Sequence, residues 1–376
     1  MPPGRPPESP RSAAGAAVAA EPEPVEDGSD GVPDTTEAFM LARVLAMVAA
    51  ALGLWAGLAG TPAAQPSCDD WSHERFHEDT RDFFERASPD DIARCIEAGA
   101  DPNARGAGGM TPLHYAAAVS ESAVVAILLA AGADPNAQSQ EGIVPLHMAG
   151  LGGRPAILAM LLAAGADVEA RDEKEELTPL HMAAAYSGST AAMSVLVGAG
   201  ASLEARDYGG STPLHLAVSW GSARPHATEM IGALLDAGAD IEARTHEGWT
   251  PLHVAAAKAT TPEAIETLAA AGADLEARTA GGWTPLHLAV GWKQVPLFVP
   301  ALIEAGADIE ARGAGGMTPL HIAAGHTWAP RMVPPLLDAG ADAKALTADG
   351  ETALELMARD WSRSPVYQRL EEATLD

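Results

Sequence analysis

The sequence predicts an all-α solenoid, in which helix–turn–helix units stack side by side around a thin continuous core. Two short markers that alternate in fixed phase carry this expectation. The first is Thr-Pro-Leu-His, at 111–114, 178–181, 212–215, 250–253, 284–287 and 318–321. Val144-Pro-Leu-His147 is a further copy without the Thr, and Thr352-Ala-Leu-Glu355 is a degenerate one. The second marker, Ala-Gly-Ala-Asp or a close variant, sits half a period away, with glycines at Gly99, Gly132, Gly165, Gly200, Gly238, Gly272, Gly306 and Gly340. The period is 33 to 38 residues. Composition agrees, because aromatics make up only 5% of the 376 residues, too few for one large core, whereas Ala and Gly are abundant.

Each marker has a mechanical reading. Thr ahead of Pro ahead of an apolar run starts a helix, since Thr caps free backbone N–H groups and Pro fits the first turn. Gly after an apolar run such as 126–131 stops a helix, because it accepts a left-handed conformation. The connector that follows, Asp-x-x-Ala-Arg-x-x-x-Gly, is short and rich in turn formers. Each unit is therefore helix, turn, helix, connector.

These motifs resemble the ankyrin repeat, whose Thr-Pro-Leu-His-x-Ala signature and 33-residue period they match over about seven full repeats in 105–345. With the N-terminal leader described below, the chain is similar to an exported, bacterial type of ankyrin-repeat protein. The resemblance implies antiparallel helix pairs with β-hairpin fingers projecting to one side. It implies that His114, His147, His181, His215, His253, His287 and His321 are structural, bonding within and between repeats. By themselves these histidines suggest a metal array, but one repeat of spacing, about 10 Å, is too far to share an ion bound at about 2 Å. The function implied is a non-catalytic scaffold that holds another protein on a concave face of finger tips and first-helix ends, without a cofactor.

Two columns map to that face. One precedes the first marker: Met110, Ile143, Leu177, Ser211, Trp249, Trp283 and Met317. The other ends the first helices: Val119, Tyr186, Trp220, Lys258, Trp292 and His326. They hold four of the eight tryptophans, and Trp and Tyr dominate interface hot spots. The partner-contact set is thus Met110, Tyr186, Trp220, Trp249, Trp283, Trp292 and Met317, centred on repeats four to six. The alternative is that these rings pack against neighbouring repeats. Arg105, Arg171, Arg206, Arg244, Arg278 and Arg312 form a third column, beside acidic residues, for which local ion pairs are expected.

Departures from the pattern are local. The connector Arg171–Leu177 of repeat three is one residue longer than its neighbours and lacks the finger glycine. Repeat four carries extra residues within 219–228, and Pro300 and Pro334-Pro335 fall inside second helices, which should start late or bend. Residues 65–104 read as an N-terminal cap repeat and 346–376 as a C-terminal cap, ending in a polar helix over 366–372.

Residues 1–37, rich in Pro, Ala and acidic side chains, cannot bury enough surface to order themselves, or are an untranslated extension ahead of a start at Met40. Within 38–64, Arg43 is followed by an uncharged apolar run from Val44 to Gly60 and a small-residue exit. That describes a secretory signal peptide, cleaved near Ala63 or Ala64. An uncleaved membrane anchor is the alternative, since 17 residues is the short limit for a span. Either places the repeats outside the cytosol, periplasmic or secreted. The net charge is −28, and −23 remains beyond residue 64. Such a surface repels nucleic acid, and it meets a membrane only through an uncleaved leader. In an oxidising compartment Cys68 and Cys95 could form one disulfide; the alternative is two separate thiols, one buried in a helix.

His73-Glu-Arg-Phe-His77 matches the zinc-protease pattern H-E-x-x-H. The context is wrong, because a zinc protease needs a third ligand and a cleft, and neither is supplied around this segment. A chance match on a cap helix is the reading adopted. A zinc-dependent hydrolase using His73 and His77 is the competing function, and a membrane-tethered spacer the third. No phosphate-binding glycine loop, nucleophile elbow or cysteine metal cluster is present.

Overall fold

The computed structural model describes residues 68, 79–219, 227–259, 261–292, 297–325, 329–357 and 364–375. These belong to one compact unit spanning 59–376. The N-terminal extension, the leader, His73, His77, Trp220, His326 and the side chain of Trp292 lie outside the described residues.

An N-terminal pair of helices, Asp79–Arg86 and Pro89–Glu97, opens the stack. Ser88 starts the second, its Oγ accepting from the Asp91 N–H at 3.2 Å while the Asp91 carboxylate accepts from the Ser88 N–H at 3.0 Å. This reciprocal cap satisfies two orphan donors at once. Phe83 and Phe84 are buried beneath the pair, and Phe84 stacks on Tyr115 of the first full repeat. Cys68 is bonded to Cys95 on the inner face of the second helix.

Repeats one to seven follow. Their helices are Pro112–Val119 with Ser122–Ala130, Pro145–Leu151 with Pro155–Ala163, and Pro179–Met182 with Thr190–Gly198. Next come Pro213–Ser219 with Ala227–Asp236, Pro251–Lys258 with Glu263–Ala270, Pro285–Trp292 with Phe298–Ala305, and Pro319–Gly325 with Ala329–Asp338. In repeat three a π-type turn, Ala183–Ser187, extends the first helix. Ala353–Leu356 and Pro365–Leu375 close the stack. First helices pack on first helices of the neighbours, and second on second. The marker leucines Leu113, Leu146, Leu180, Leu214 and Leu252 are wholly buried, as are Leu128, Leu161, Leu196, Leu234 and Leu268 of the second helices. Each such leucine contributes about 2 kcal/mol of transfer free energy, and the alanines between them let the helices approach closely.

The two proline expectations resolve differently. In repeat six the second helix begins at Phe298, so Pro300 falls in its first turn, where no backbone donor is missed. In repeat seven the helix starts at Ala329 and runs through Pro334 and Pro335, so the late start does not occur. Met332, Val333 and Leu336 of that helix are fully buried, and their packing holds the segment helical against two missing N–H donors.

The expected β-hairpins are corrected to tight turns, and no strand occurs among the described residues. One bond closes each finger, as from Thr279 N–H to the Trp283 carbonyl at 3.0 Å, around a turn made by Gly282 N–H and the Thr279 carbonyl at 2.9 Å. A single rung is too little for a strand pair. Successive fingers are joined by one more, such as Ala280 N–H to Glu247 O at 3.0 Å. Gly248 at this turn has φ of +77°, and a Cβ there would lie 2.8 Å from the Ala280 nitrogen. In repeat three Glu176 takes the corresponding place with φ of +56°, the one described non-glycine residue at positive φ. A side chain in that region costs about 1–2 kcal/mol. Glu176→Gly is therefore expected to stabilise the protein by about 1 kcal/mol, read as a higher thermal midpoint. The exposed Arg171–Glu176 pair lost in the exchange is worth little.

Candidate functional site

The marker histidines are buried and each makes the same two-sided contact. In repeat one, His114 Nδ1 lies 2.8 Å from the Thr111 hydroxyl and 3.0 Å from the Thr111 backbone nitrogen. Its Nε2 lies 2.9 Å from the Ile143 carbonyl of the next repeat. A carbonyl only accepts, so Nε2 carries the hydrogen and Nδ1 is left to accept from Thr. The series continues from His147 to Leu177 O at 2.8 Å, His181 to Ser211 O at 3.2 Å, His215 to Trp249 O at 3.0 Å and His253 to Trp283 O at 3.0 Å. His287 reaches Met317 O at 3.0 Å, and His321 reaches Glu351 O at 3.2 Å. Val144 has no hydroxyl, so His147 Nδ1 receives only the backbone N–H, at 3.1 Å.

From His114 to His287 the acceptor carbonyl belongs to the residue just ahead of the next marker, the first of the two columns read from sequence, and His321, at the end of the series, shares its bond between Glu351 O and Ala345 O at 3.1 Å. The bridge thus fixes the backbone at Trp249, Trp283 and Met317 of the proposed contact set. Their exposure divides them. Met110, Ser211, Trp283 and Met317 are half-buried, whereas Ile143, Leu177 and Trp249 are buried. The expectation of an open tryptophan face is corrected at Trp249, which is 8% exposed with the Lys258 ammonium 5.6 Å from its ring centroid. Tyr186, from the second column, is 7% exposed and packs inside the π-type turn of repeat three. Both rings cover the stack rather than present area to a partner. Trp283 leans on His287, ring centroids 5.4 Å apart, and on Gly313 of the following finger, where a Cβ would sit 2.5 Å from the indole. The finger tip adds Tyr208, 70% exposed, which sequence reasoning passed over because it belongs to neither column.

The arginine column is also corrected. Instead of carboxylates, the guanidinium groups hold backbone carbonyls. Arg278 Nη1 donates to Gly282 O of its own finger at 3.0 Å and to Arg312 O of the next at 2.5 Å. Arg105 links Gly109 O and Gln138 O, Arg244 links Gly248 O and Arg278 O, and Arg206 and Arg312 do likewise. Among the described residues, only Arg171 of this column also meets a carboxylate, Glu176 at 3.1 Å. The acids are used elsewhere. Glu242 accepts from Asp274 N–H at 2.7 Å and Glu276 from Asp308 N–H at 2.8 Å, while Asp274 and Asp308 accept from the N–H two residues on. Asn103 and Asn136 take the glutamate role in the first two connectors.

Neutral buried imidazoles with both nitrogens committed to Thr or backbone groups offer no nucleophile–base pair. Among the described residues no group of three His, Cys, Asp or Glu side chains could hold a metal ion. No described helix is long and apolar enough to cross a membrane.

Family models described as ankyrin repeats match the chain throughout the stack. The three-copy model covers 86–172, 146–245 and 222–313, and the many-copy model 302–357. The chain belongs to the ankyrin-repeat family. Its repeats are of a kind that serves as an interaction scaffold for other proteins, and such domains are typically non-catalytic. No curated protein matches the chain. Among solved structures it is similar to the ankyrin repeat domain of Bcl-3, described as a unique member of the IkappaB protein family, at 30% identity and a TM-score of 0.51. That likeness covers 62% of this chain and 99% of the other. The human ASB11 ankyrin repeat domain is 26% identical with a TM-score of 0.50, over 70% and 98% of the two chains.

Burial holds the imidazoles of His114, His147, His181, His215 and His253 down at about 4, and lowers His287 and His321 as well. On unfolding, each regains an ordinary value near 6.5 and takes up a proton as the pH falls through the window from about 6.5 to about 4. Stability is therefore lost over that window on acidification. Asp172, pushed up to about 6 by burial, opposes this, as do Glu175, Asp207 and Glu276, which burial also raises, but the seven histidines outnumber them. The thermal midpoint is expected to be lower at pH 4.5 than at pH 7.5 in about 1 M salt, where charge repulsion is screened to about 3 Å. Val144→Thr restores the missing hydroxyl and is expected to gain about 1 kcal/mol in the same melt.

Proposed function

We propose that this ankyrin-repeat protein acts outside the cytosol as a non-catalytic scaffold, holding a partner protein on the concave, finger-bearing face of its stack. The observation that supports it most is the histidine bridge. By pinning the backbone ahead of the later markers, it sets Ser211, Trp283 and Met317 at repeat spacing without further ordering cost, while Met110 is held by its own finger bond from Gly106 N–H, and preorganised side chains bind with less entropy loss. Trp283 and the exposed Tyr208 supply the aromatic anchors that dominate interfaces. Trp220 and Trp292 are proposed to extend the same face. Export is read from the apolar segment 44–60, and the bond between Cys68 and Cys95 suits an oxidising compartment.

Two measurements test the two halves. Tyr208→Ala and Trp283→Ala are expected to weaken binding of a partner purified from the native extracytoplasmic fraction by about tenfold or more, with the circular-dichroism melt of Tyr208→Ala unchanged. Unaltered affinity in both removes the face assignment. Sequencing the mature N-terminus is expected to give a start just after Ala63 or Ala64. An intact leader in the membrane fraction means a tethered scaffold instead, and recovery from the cytosol overturns export.

A further inference from the structure

The row of backbone bonds that joins neighbouring fingers is broken at one place. Gln140 N–H reaches Gly108 O at 2.7 Å, Glu173 N–H reaches Glu141 O at 2.9 Å, Tyr208 N–H reaches Glu175 O at 2.8 Å and His246 N–H reaches Gly209 O at 3.1 Å. Ala280 N–H to Glu247 O continues the series, and Ala348 N–H to Gly315 O, at 2.8 Å, closes it. Between the fingers of repeats six and seven the register calls for Ala314 N–H to bond Gly281 O. Among the described residues that bond is missing, and neither group has another partner. Both residues are exposed. The two fingers also stand further apart. A Cβ on Gly142, Gly210 or Gly248 would lie 2.8 Å from the facing backbone nitrogen, whereas one on Gly282 would lie 3.8 Å from the Ala314 nitrogen. Trp283 occupies the same gap. Where the preceding finger has Thr279, whose hydroxyl accepts from the Trp283 N–H at 3.2 Å, this one has Gly313. With no side chain there, the indole lies across the boundary. Its six-membered ring is 2.5 Å from where a Gly313 Cβ would be, and its Nε1 is 3.2 Å from where a Gly281 Cβ would be. Among the described residues nothing accepts from that Nε1–H.

We propose that the gap between these two fingers docks an extended segment of the partner protein, which pairs through its own backbone with Ala314 N–H and Gly281 O. Unpaired N–H and C=O groups at the end of a ladder are a template for another chain. The free donor and the free acceptor belong to one missing rung, and an extended backbone carries both kinds of group in alternation. An anion would serve Ala314 alone and would meet a chain that is at −23 beyond residue 64, while a cation would serve Gly281 alone. The indole of Trp283 adds apolar area and an unpaired N–H beside the rung, so side-chain and backbone contacts coincide at one place. The inference rests on the reading of the finger-bearing face as the partner surface, and names how that face recognises a chain.

Ala314→Pro tests this, because the N–H it removes holds nothing within the protein. Gly313 is already extended, as the residue ahead of a proline prefers. The variant is expected to melt as the parent does, and to bind the partner purified from the native extracytoplasmic fraction about tenfold more weakly or worse. Hydrogen exchange gives an independent reading on the unmodified protein. Free of partner, the Ala314 amide is expected to exchange about tenfold faster than those of Ala280 and Ala348, and in the complex to slow by about the same factor. Unchanged affinity in Ala314→Pro, or an Ala314 amide that stays fast in the complex, overturns the rung, and the exchange measurement decides the matter if the variant fails to fold. Protection that grows with the protein's own concentration in the absence of partner makes the occupant a second copy and overturns the proposal. Weakened binding in Tyr208→Ala with full binding in Ala314→Pro removes this site and keeps the concave face, so the two failures are told apart.

Discussion

One hydrogen bond governs this architecture, from the Nε2–H of a buried histidine to the carbonyl just ahead of the following repeat. A buried imidazole must be neutral, because a lone charge in a thin apolar layer is far more costly than a satisfied dipole. Neutrality leaves Nδ1 as an acceptor, and the Thr at the helix start supplies its donors. Thr, Pro, Leu and His thus form one device that caps the helix, shapes its first turn, fills the core and ties the layer to its neighbour. The same bond positions the residue that faces outward, so core and display surface are set together.

The other couplings run parallel to it. Arginines clasp finger carbonyls two at a time, and glutamates accept from the connector of the next repeat. Much of the acidity that reads in the sequence as a signal toward basic partners is therefore architectural, with carboxylates standing at backbone N–H groups that would otherwise go unpaired. Charge-assisted bonds of this kind hold the connectors without hydrophobic area, in a chain whose aromatics are scarce.

The stack and its period were legible because both markers encode local mechanics, a helix start and a left-handed stop, repeated in phase. The structural role of the histidines was legible only through the family resemblance. Exposure was not legible. Trp249 and Trp283 occupy the same column, yet one is covered with Lys258 above it and the other leans on Gly313 of the next finger, so burial depends on residues half a repeat or more away. The arginine bonds were misread for a related reason. Adjacent acids in sequence suggest ion pairs, whereas carbonyls, which every residue carries, leave no mark in the sequence. Glu176 shows the reverse: the missing finger glycine was visible, and the strained backbone that results is its direct consequence.

The irregularities converge on one seam. Val144 deprives the bond from His147 to repeat three of its hydroxyl support, Gln138 stands where the other connectors carry the clasping arginine, and strained Glu176 lies on the far side of the same boundary. In a stack whose layers hold only their nearest neighbours, tension is borne in series and yields at the weakest joint. Drawn apart from its ends, this stack would break first between repeats two and three.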